Sequence, residues 1–454
     1  MKFSRTLIGA AAAGVFAATV QAAVPAEEAK QLGTSLTLVG AEKAGSADGV
    51  IPAYTGGLTT PPPSYTKGSG IRPDPFASEK PSVAVTAKNM AQYESKLTEG
   101  TKELLKRYPN TFRLDVYPTH RTVAFPKYVL DNTVRNATSA LTTEGGLGVQ
   151  KAYAGYPFPI PKTGNEAMWN HLMRYVGYMY KWKFDAYNVD SSGKATLATV
   201  GEVFSHFPIY DPKRTSMLGE QEVFSRSKIY WLGPPRRAGE ALINYDSLNP
   251  MVQGRRAWIY LPGQRRVKLA PEVGYDTPNP GTAGGNTYDD ALIFNGALDR
   301  FDFKLVGKKE LIVPYNCYKL IYTKQVQEVV TPNHLNTDLV RWETHRVWVV
   351  EATLKPGKRH IYAKRVFYLD EDSWTMLASD QYDARGQLFR SQYVFPAPAY
   401  EMPAPSFDEQ VSYDFVANSY SLMAHLGGYY GNTFVDPLPE AEWAPDSLTA
   451  AGVR

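Results

Sequence analysis

The stretch RRAWIYLPGQRRVKLAP, residues 255–271, has the pattern of a β-hairpin. Ala257 to Leu261 and Arg265 to Leu269 suit pleated strands, and the Pro262-Gly263 pair between them is typical of a turn. Similar runs recur along the chain, at 182–189, 194–204, 222–232, 300–306, 317–330, 342–354, 359–369, 374–382 and 387–395. Antiparallel hairpins in succession, with few helices between them, predict a mainly β fold built as a large meander.

A few segments have helical spacing instead. The residues predict helices near 88–108, 165–178 and 407–426. Gly100 interrupts the first, which is therefore one kinked helix or two short ones. Thr163 or Asn165 is a suitable cap for the second.

The central hairpin is apolar on both faces. Trp258 and Tyr260 point to one side, whereas Ala257, Ile259 and Leu261 point to the other. Such a strand must be covered on both faces, by helices, by another part of the chain or by a ligand. The residues leave two interpretations open: an ordinary two-layer core, or a sheet that curls without closing and holds a ligand in an apolar concavity.

The chain begins with the pattern of a secretory signal. Lys2 and Arg5 precede an apolar run, and Ala22 ends a stretch of small residues, so we expect residues 1–22 to be a signal peptide cut after Ala22. A membrane anchor is the alternative, but the run is shorter and poorer in leucine than a spanning helix requires. Residues 23–87 are rich in Gly and Pro and predict an extended arm, followed by one domain over 88–454.

Composition excludes several classes of function. Loss of the leader, which holds two cations and no acid, lowers the formal charge from +4 to +2, far from the basic balance of a nucleic-acid-binding protein. No later stretch is apolar enough to predict a membrane span. The single cysteine, Cys317, cannot form an internal disulfide, and its apolar neighbours predict a buried strand thiol.

No pattern in the chain indicates catalysis or metal binding. The 7 histidines are scattered without the spacing of a zinc site, and no serine stands in a nucleophile elbow. The acidic runs Asp289-Asp290 and Asp370-Glu371-Asp372 fit acid-base or calcium chemistry in principle, but such loop acids are usually solvated. We therefore predict no enzyme, no catalytic residue, no metal and no cofactor.

Two sets of motifs resemble known families. The stretch LGTSLTLVGAEKAGSADGVIPAYTGGL, Leu32 to Leu58, resembles the N-terminal signature of the proteobacterial family named domain of unknown function 1329. The hairpin, its glycine-rich loop and the acidic motif at 287–290 resemble the lipoprotein-sorting superfamily of LolA, LolB and LppX. The turns at 368–374 and 381–388 resemble the ending of those domains.

The resemblance implies a half-open β-barrel that holds acyl chains, with its concave face covered by helices. It implies a periplasmic carrier that passes a lipid or other hydrophobic molecule between an inner-membrane exporter of the resistance-nodulation-division type and the outer membrane. A protein-binding assembly factor and a hydrolase of hydrophobic esters are the alternatives.

The candidate site residues follow from strand alternation. The candidate cavity residues are Trp258, Tyr260, Leu292, Phe294, Phe301, Phe303, Trp348, Phe367 and Trp374. The candidate head-group residues at the rim are Arg255, Arg256, Arg265 and Arg266, which could instead be solvated strand residues or face an anionic membrane.

Overall fold

The computed structural model describes residues 23–143, 145–406 and 409–453, so the expected signal peptide lies outside the described residues. Its strands are β1 (Val83–Val85), β2 (Leu114–Val116), β3 (Leu141–Thr143), β4 (Gly148–Gln150), β5 (Met179–Val189), β6 (Ala195–His206), β7 (Val223–Gly233), β8 (Ala241–Ser247), β9 (Arg256–Leu261), β10 (Arg266–Leu269), β11 (Phe301–Pro314), β12 (Trp342–Leu354), β13 (Lys364–Asp370), β14 (Met376–Tyr382), β15 (Leu388–Phe395), β16 (Glu409–Asp414), β17 (Ser419–His425) and β18 (Asn432–Phe434). Its α-helices are α1 (Ala26–Ala29), α2 (Glu99–Arg107), α3 (Lys127–Ser139), α4 (Gly164–Leu172), α5 (Tyr318–Ile321) and α6 (Val326–Val329).

One 16-stranded sheet forms the framework. Strands β11 to β17 form one antiparallel meander and β5 to β10 form a second, and pairing of β17 with β5 joins the two. The short strands β1 and β2 extend the sheet beside β12, and β18 pairs with β5. Within the described residues the end strands β10 and β11 do not pair with each other, so the barrel is half-open.

The predicted central hairpin is confirmed. In the β9–β10 pair, Leu261 lies opposite Arg266 and Trp258 lies opposite Leu269. The turn between them is a short 3-10 helix, Pro262–Gln264, closed by Arg265 in the left-handed conformation. The strand predicted at 342–354 is β12, and Gly386 takes a positive φ of 75° in the turn before β15.

The helix predicted over 407–426 is wrong, because β16 and β17 form a hairpin there. Val411 and Tyr413 are buried on one face and pair with Leu422 and Tyr420 of the next strand. The apolar residues therefore recur every second position, which is the period of a strand. Asn418 makes the turn at φ 49°.

The strand predicted at 317–330 is also wrong, since this segment contains the short helices α5 and α6. Cys317 is buried as predicted, and burial raises the pKa of its thiol well above the ordinary value. It precedes α5, and its backbone N–H bonds to the carbonyl of Pro396 at 2.8 Å.

The other two predicted helices are present with different bounds. The first is two short helices, a 3-10 helix at Met90–Lys96 and α2, separated by extended backbone at Leu97. The second is α4, which Thr163 caps and which ends at Leu172. Gly100 has a packing role, because a Cβ atom there would lie 1.9 Å from Oγ of Ser391.

Residues 39–44, within the predicted arm, lie against the acidic turn at 370–372, where the backbone N–H of Glu42 donates to the Glu371 carboxylate at 3.1 Å. Trp374 Nε1 donates to the carbonyl of Val39 at 2.9 Å, and Arg346 Nη1 donates to the carbonyl of Ala44 at 3.0 Å. Gly40 is required here, because a Cβ atom would lie 1.7 Å from the carbonyl oxygen of Pro159. The arm and the turn therefore form one packed unit.

Candidate ligand-binding site

The inner face of β5 to β8 borders a cavity of about 190 Å³. Strand β5 contributes Trp182 and Phe184, and strands β7 and β8 contribute Trp231 and Leu242. The loop between β10 and β11, residues 270–300, crosses this face and closes the cavity from the other side; we call it the cover loop. The cavity is largely lined by aromatic and aliphatic side chains, with a few serine and asparagine side chains between them, as ligand pockets commonly are.

Strand alternation explains why these side chains converge. In β5, Trp182 and Phe184 line the cavity, while Lys181 and Lys183, which alternate with them, are exposed on the other face. Gly201 of β6 leaves room for Phe184, since a Cβ atom there would lie 2.5 Å from the Phe184 ring. Trp182 Nε1 is buried without a hydrogen-bond partner among the described residues, although the residue lines the cavity.

Buried ion pairs hold the cover loop on the sheet. Arg365 of β13 donates from Nη1 to Asp289 at 3.0 Å and from Nη2 to Asp290 at 2.9 Å. Gln410 of β16 donates to the carbonyl of Asp290 at 2.7 Å, and its side-chain oxygen accepts from the N–H of Leu292 at 2.9 Å. The cover loop is thus fixed to the two strands through its acidic motif.

The acids of this motif are not solvated loop acids, contrary to the expectation from sequence. Asp289 is 2% exposed and Asp290 is 0% exposed. Burial would by itself raise the pKa of Asp289, but the charge of Arg365 and a hydrogen bond with His360 hold that pKa well below its ordinary range. Asp289 is therefore a buried carboxylate whose role here is to anchor the loop.

The second acidic motif is buried as well. Both oxygens of Asp372 accept hydrogen bonds from Arg121, at 2.6 and 2.8 Å. Asp370 accepts from the hydroxyl of Tyr315 at 3.0 Å, and burial together with the charge of Asp372 raises its pKa to about 6. One oxygen on each of Asp370 and Asp372 lies within 4.8 Å of a ring nitrogen of His345, but the bonds to Arg121 and Tyr315 show a structural ion-pair network at the base of the arm.

A second cavity, of about 250 Å³, adjoins the first. Arg255, Val273 and Asn295 line both cavities and so form the wall between them, which we call the partition. Arg255 is bound to Asp246 of β8 through Nε at 2.7 Å and Nη2 at 3.0 Å. This second cavity is more polar than the first and has the side chains of Asp246 and Ser247 in its lining.

The predicted cavity residues fall into three places. Leu292 lines the apolar cavity. Trp258 and Tyr260 lie on the opposite face of the sheet, in a cluster with Leu448 near the C-terminus. The others pack in the main core: Phe294, Phe301, Phe303, Phe367, Trp348 and Trp374. Strand alternation could not separate these places, because both faces of the sheet are covered.

The four predicted rim arginines do not form one cluster. Arg255 lies in the partition, whereas the guanidinium of Arg256 packs over the ring of Tyr245, 5.3 Å from its centroid, on the opposite face. Arg265 and Arg266 are exposed at the turn into the edge strand β10. These are three different environments: the partition, the packed opposite face of the sheet and the exposed turn.

The candidate residues from sequence do not include the main cavity residues of β5, β7 and β8: Tyr180, Trp182, Phe184, Ile229, Trp231 and Leu242. A usable signal was present in β5, where aromatic residues alternate with lysines and aspartate from 180 to 185. That alternation identifies the inner face of this strand. The other strands carry no comparable contrast between their faces.

None of the helices in the described ranges is long and apolar enough to cross a membrane.

Comparisons with known proteins relate most of the chain to one family. The family model described as "Protein of unknown function (DUF1329)" matches residues 84–449. An uncharacterised protein of Pseudomonas aeruginosa is 41% identical over 461 aligned residues, covering 100% of both chains. Among solved structures, a DUF1329 family protein from Desulfovibrio piger is 15% identical, covering 60% of this chain and 91% of that chain with a TM-score of 0.40. A LolA superfamily protein from Nitrosomonas europaea is 10% identical, covering 63% and 100% with a TM-score of 0.37. The extent of the family match and of the Pseudomonas relative means that this chain belongs to the DUF1329 family.

Proposed function

We propose that the protein is an exported periplasmic carrier that binds a lipid or another hydrophobic molecule in the apolar cavity under the cover loop. The observation that carries this proposal is the convergence of Trp182, Phe184 and Trp231 on one cavity of about 190 Å³. Burial of each CH₂ group of a ligand there contributes about 0.8 kcal/mol, which is sufficient to hold an aliphatic chain without any covalent step.

The cover loop is the element that has to yield for a longer chain to enter. Its anchors at Arg365 and Gln410 lie to one side of the cavity, on β13 and β16, while Leu292 lines the cavity itself. We expect a displacement of the loop beyond these anchors to enlarge the cavity without breaking the buried ion pairs. In a carrier, the ion pairs would therefore anchor the loop, and the rest of the loop would move to admit the ligand to the cavity.

The surface at the end of the sheet suits contact with an anionic membrane. Arg265, Arg266 and Lys268 are exposed, and within the described residues their side chains make no ion pair or hydrogen bond. Leu269, next to them, is 57% exposed. We therefore propose that the protein contacts the membrane surface through this edge. We also propose that it delivers its hydrophobic ligand from an inner-membrane exporter to the outer membrane.

A cavity-filling variant tests the proposal. Ser205 lines the cavity between β5 and β7, so Ser205→Phe places a ring inside it. Lys181→Phe adds the same ring to the exposed face of β5 and is the matched control. We expect Ser205→Phe to weaken binding of dodecanoate by about tenfold or more, as loss of an apolar site of this size implies, and Lys181→Phe to bind like the wild type. Equal binding by all three proteins would refute the proposed site.

A further inference from the structure

The partition between the two cavities carries unused hydrogen-bond donors. Arg255 donates from Nε and Nη2 to Asp246, and from Nη2 to the backbone carbonyl of Asn295 at 3.1 Å and to its Oδ1 at 2.8 Å. Its third nitrogen, Nη1, makes no hydrogen bond within the described ranges. The amide nitrogen Nδ2 of Asn295 makes none either. Neither atom is fully buried, and both residues line the two cavities.

The acceptors of the partition, by contrast, are occupied. Asp246 Oδ1 accepts from Arg255, and Asp246 Oδ2 accepts from Arg255 and from Asn244 at 3.3 Å. Asn295 Oδ1 accepts from Arg255. The ion pair makes the partition close to neutral. A ligand therefore meets two N–H donors there rather than a free carboxylate.

The surroundings on the two sides differ in a way that suits an amphiphile. On one side lies the largely aromatic and aliphatic cavity of about 190 Å³, and on the other lies the more polar cavity of about 250 Å³. A ligand with its chain in the first cavity has its polar end at the partition. A ligand oxygen that reaches one of these donors accepts a hydrogen bond, and hydrogen bonds that involve a charged group such as the guanidinium are stronger than those between neutral groups.

We infer that the partition is a head-group subsite, in which Arg255 Nη1 and Asn295 Nδ2 bind the acceptor oxygens of an amphiphile headed by a carboxylate or an ester. This inference rests on the proposed carrier function and specifies its ligand class. A ligand headed by an ammonium group has no acceptor for these donors, so it binds more weakly.

Calorimetric titration with three probes of equal chain length tests the inference: dodecanoate, methyl dodecanoate and dodecylamine. The wild type should bind the first two about tenfold or more tightly than the amine, the effect of one hydrogen bond to a charged donor. In the double variant Arg255→Met/Asp246→Asn the ion pair is removed as a unit, so no buried charge is left unpaired. Its preference for dodecanoate and the ester over the amine should disappear.

Two further variants separate the subsite from folding and from general charge. Arg255→Lys keeps a cation beside Asp246 but lacks Nη1, and it should lose most of the preference while remaining folded. Arg256→Met removes the neighbouring arginine, which packs on the opposite face, and should retain the full preference.

The outcomes distinguish the head-group subsite from the carrier function on which it rests. If the wild type binds all three probes equally, or if the preference survives in the double variant and in Arg255→Lys, the head-group subsite is refuted while the carrier function stands. If the wild type binds none of the probes, the carrier function fails and the subsite fails with it.

Discussion

Arg365 Nη2 lies 2.9 Å from Oδ1 of Asp290, and both side chains are fully buried. The two residues belong to different parts of the fold, the inner face of β13 and the cover loop. Because charges are rarely buried unless they are paired, this contact fixes where the loop crosses the concave face. The position of the loop in turn sets the boundary of the apolar cavity.

We predict that Arg365→Met destabilises the protein by about 3 to 5 kcal/mol, because it leaves Asp289 and Asp290 buried without their cation. Urea unfolding monitored by circular dichroism measures the change. Arg385→Met, at an exposed turn, is the matched control and should change the free energy of unfolding by less than about 0.5 kcal/mol. Adding Asp289→Asn and Asp290→Asn to Arg365→Met should recover much of the loss, and a loss below about 1 kcal/mol in the single variant would contradict this role.

The raised pKa of Asp370 predicts a pH dependence of stability. Burial and the charge of Asp372 raise this pKa from 3.8 to about 6, so between these values the folded state holds a proton that the unfolded state releases. The stabilisation from this group is complete below about pH 4 and is lost as the pH rises through about 6. Asp370→Asn removes the titration.

The free energy of unfolding of Asp370→Asn should therefore rise relative to that of the wild type between pH 4 and pH 7, by up to about 3 kcal/mol. Urea unfolding of both proteins at several pH values measures the difference and cancels the contribution of the other acids. A constant difference between the two proteins across this range would show that Asp370 does not titrate there.

The unpaired indole of Trp182 predicts a spectroscopic signal of ligand entry. Its Nε1 is buried without a partner and its ring lines the cavity, so an aliphatic ligand changes the polarity around it. Dodecanoate should shift the tryptophan emission of the wild type, and Trp182→Phe should remove a large part of that shift. Trp258→Phe, on the opposite face, should leave the shift in place.

The exposed edge predicts binding to anionic vesicles. Replacing Arg265, Arg266 and Lys268 by glutamate should weaken sedimentation with phosphatidylglycerol vesicles by tenfold or more at low salt, since each cation near such a surface contributes about 1 kcal/mol. The wild type should also lose binding as the salt concentration rises, because these charges are screened.

The control for this experiment replaces three other exposed lysines, Lys67, Lys106 and Lys181, by glutamate. It makes the same change in net charge and should bind the vesicles more tightly than the edge variant. Equal loss in both triple variants would mean that net charge, and not this edge, governs the contact.

The mainly β fold could be predicted from sequence because most strands are separated by strong turn signals. Pro262-Gly263 and Gly386 mark turns whatever surrounds them. The sequence predicts a helix where β16 and β17 form a hairpin, because the turn at Asn418 carries no glycine or proline to mark it. The order of the two meanders could not be predicted, since pairing of β17 with β5 joins segments far apart in the chain.

The candidate site was harder to predict than the fold. Asp289 and Asp290 look like solvated loop acids until Arg365, 75 residues away from Asp290, is placed beside them. Trp258 and Tyr260 have the composition of cavity residues, yet they face the cluster around Leu448 instead. In both cases the deciding contact comes from a distant part of the chain, which local patterns do not report.

The most direct test of the carrier function is mass spectrometry of solvent extracts from the protein purified gently from envelope fractions, beside Ser205→Phe purified in the same way. We expect one hydrophobic molecule in stoichiometric amount with the wild type and a strongly reduced amount with the variant. Equal amounts in both proteins would place the ligand elsewhere. Extracts without any hydrophobic molecule, together with failure to bind added dodecanoate, would contradict the carrier function.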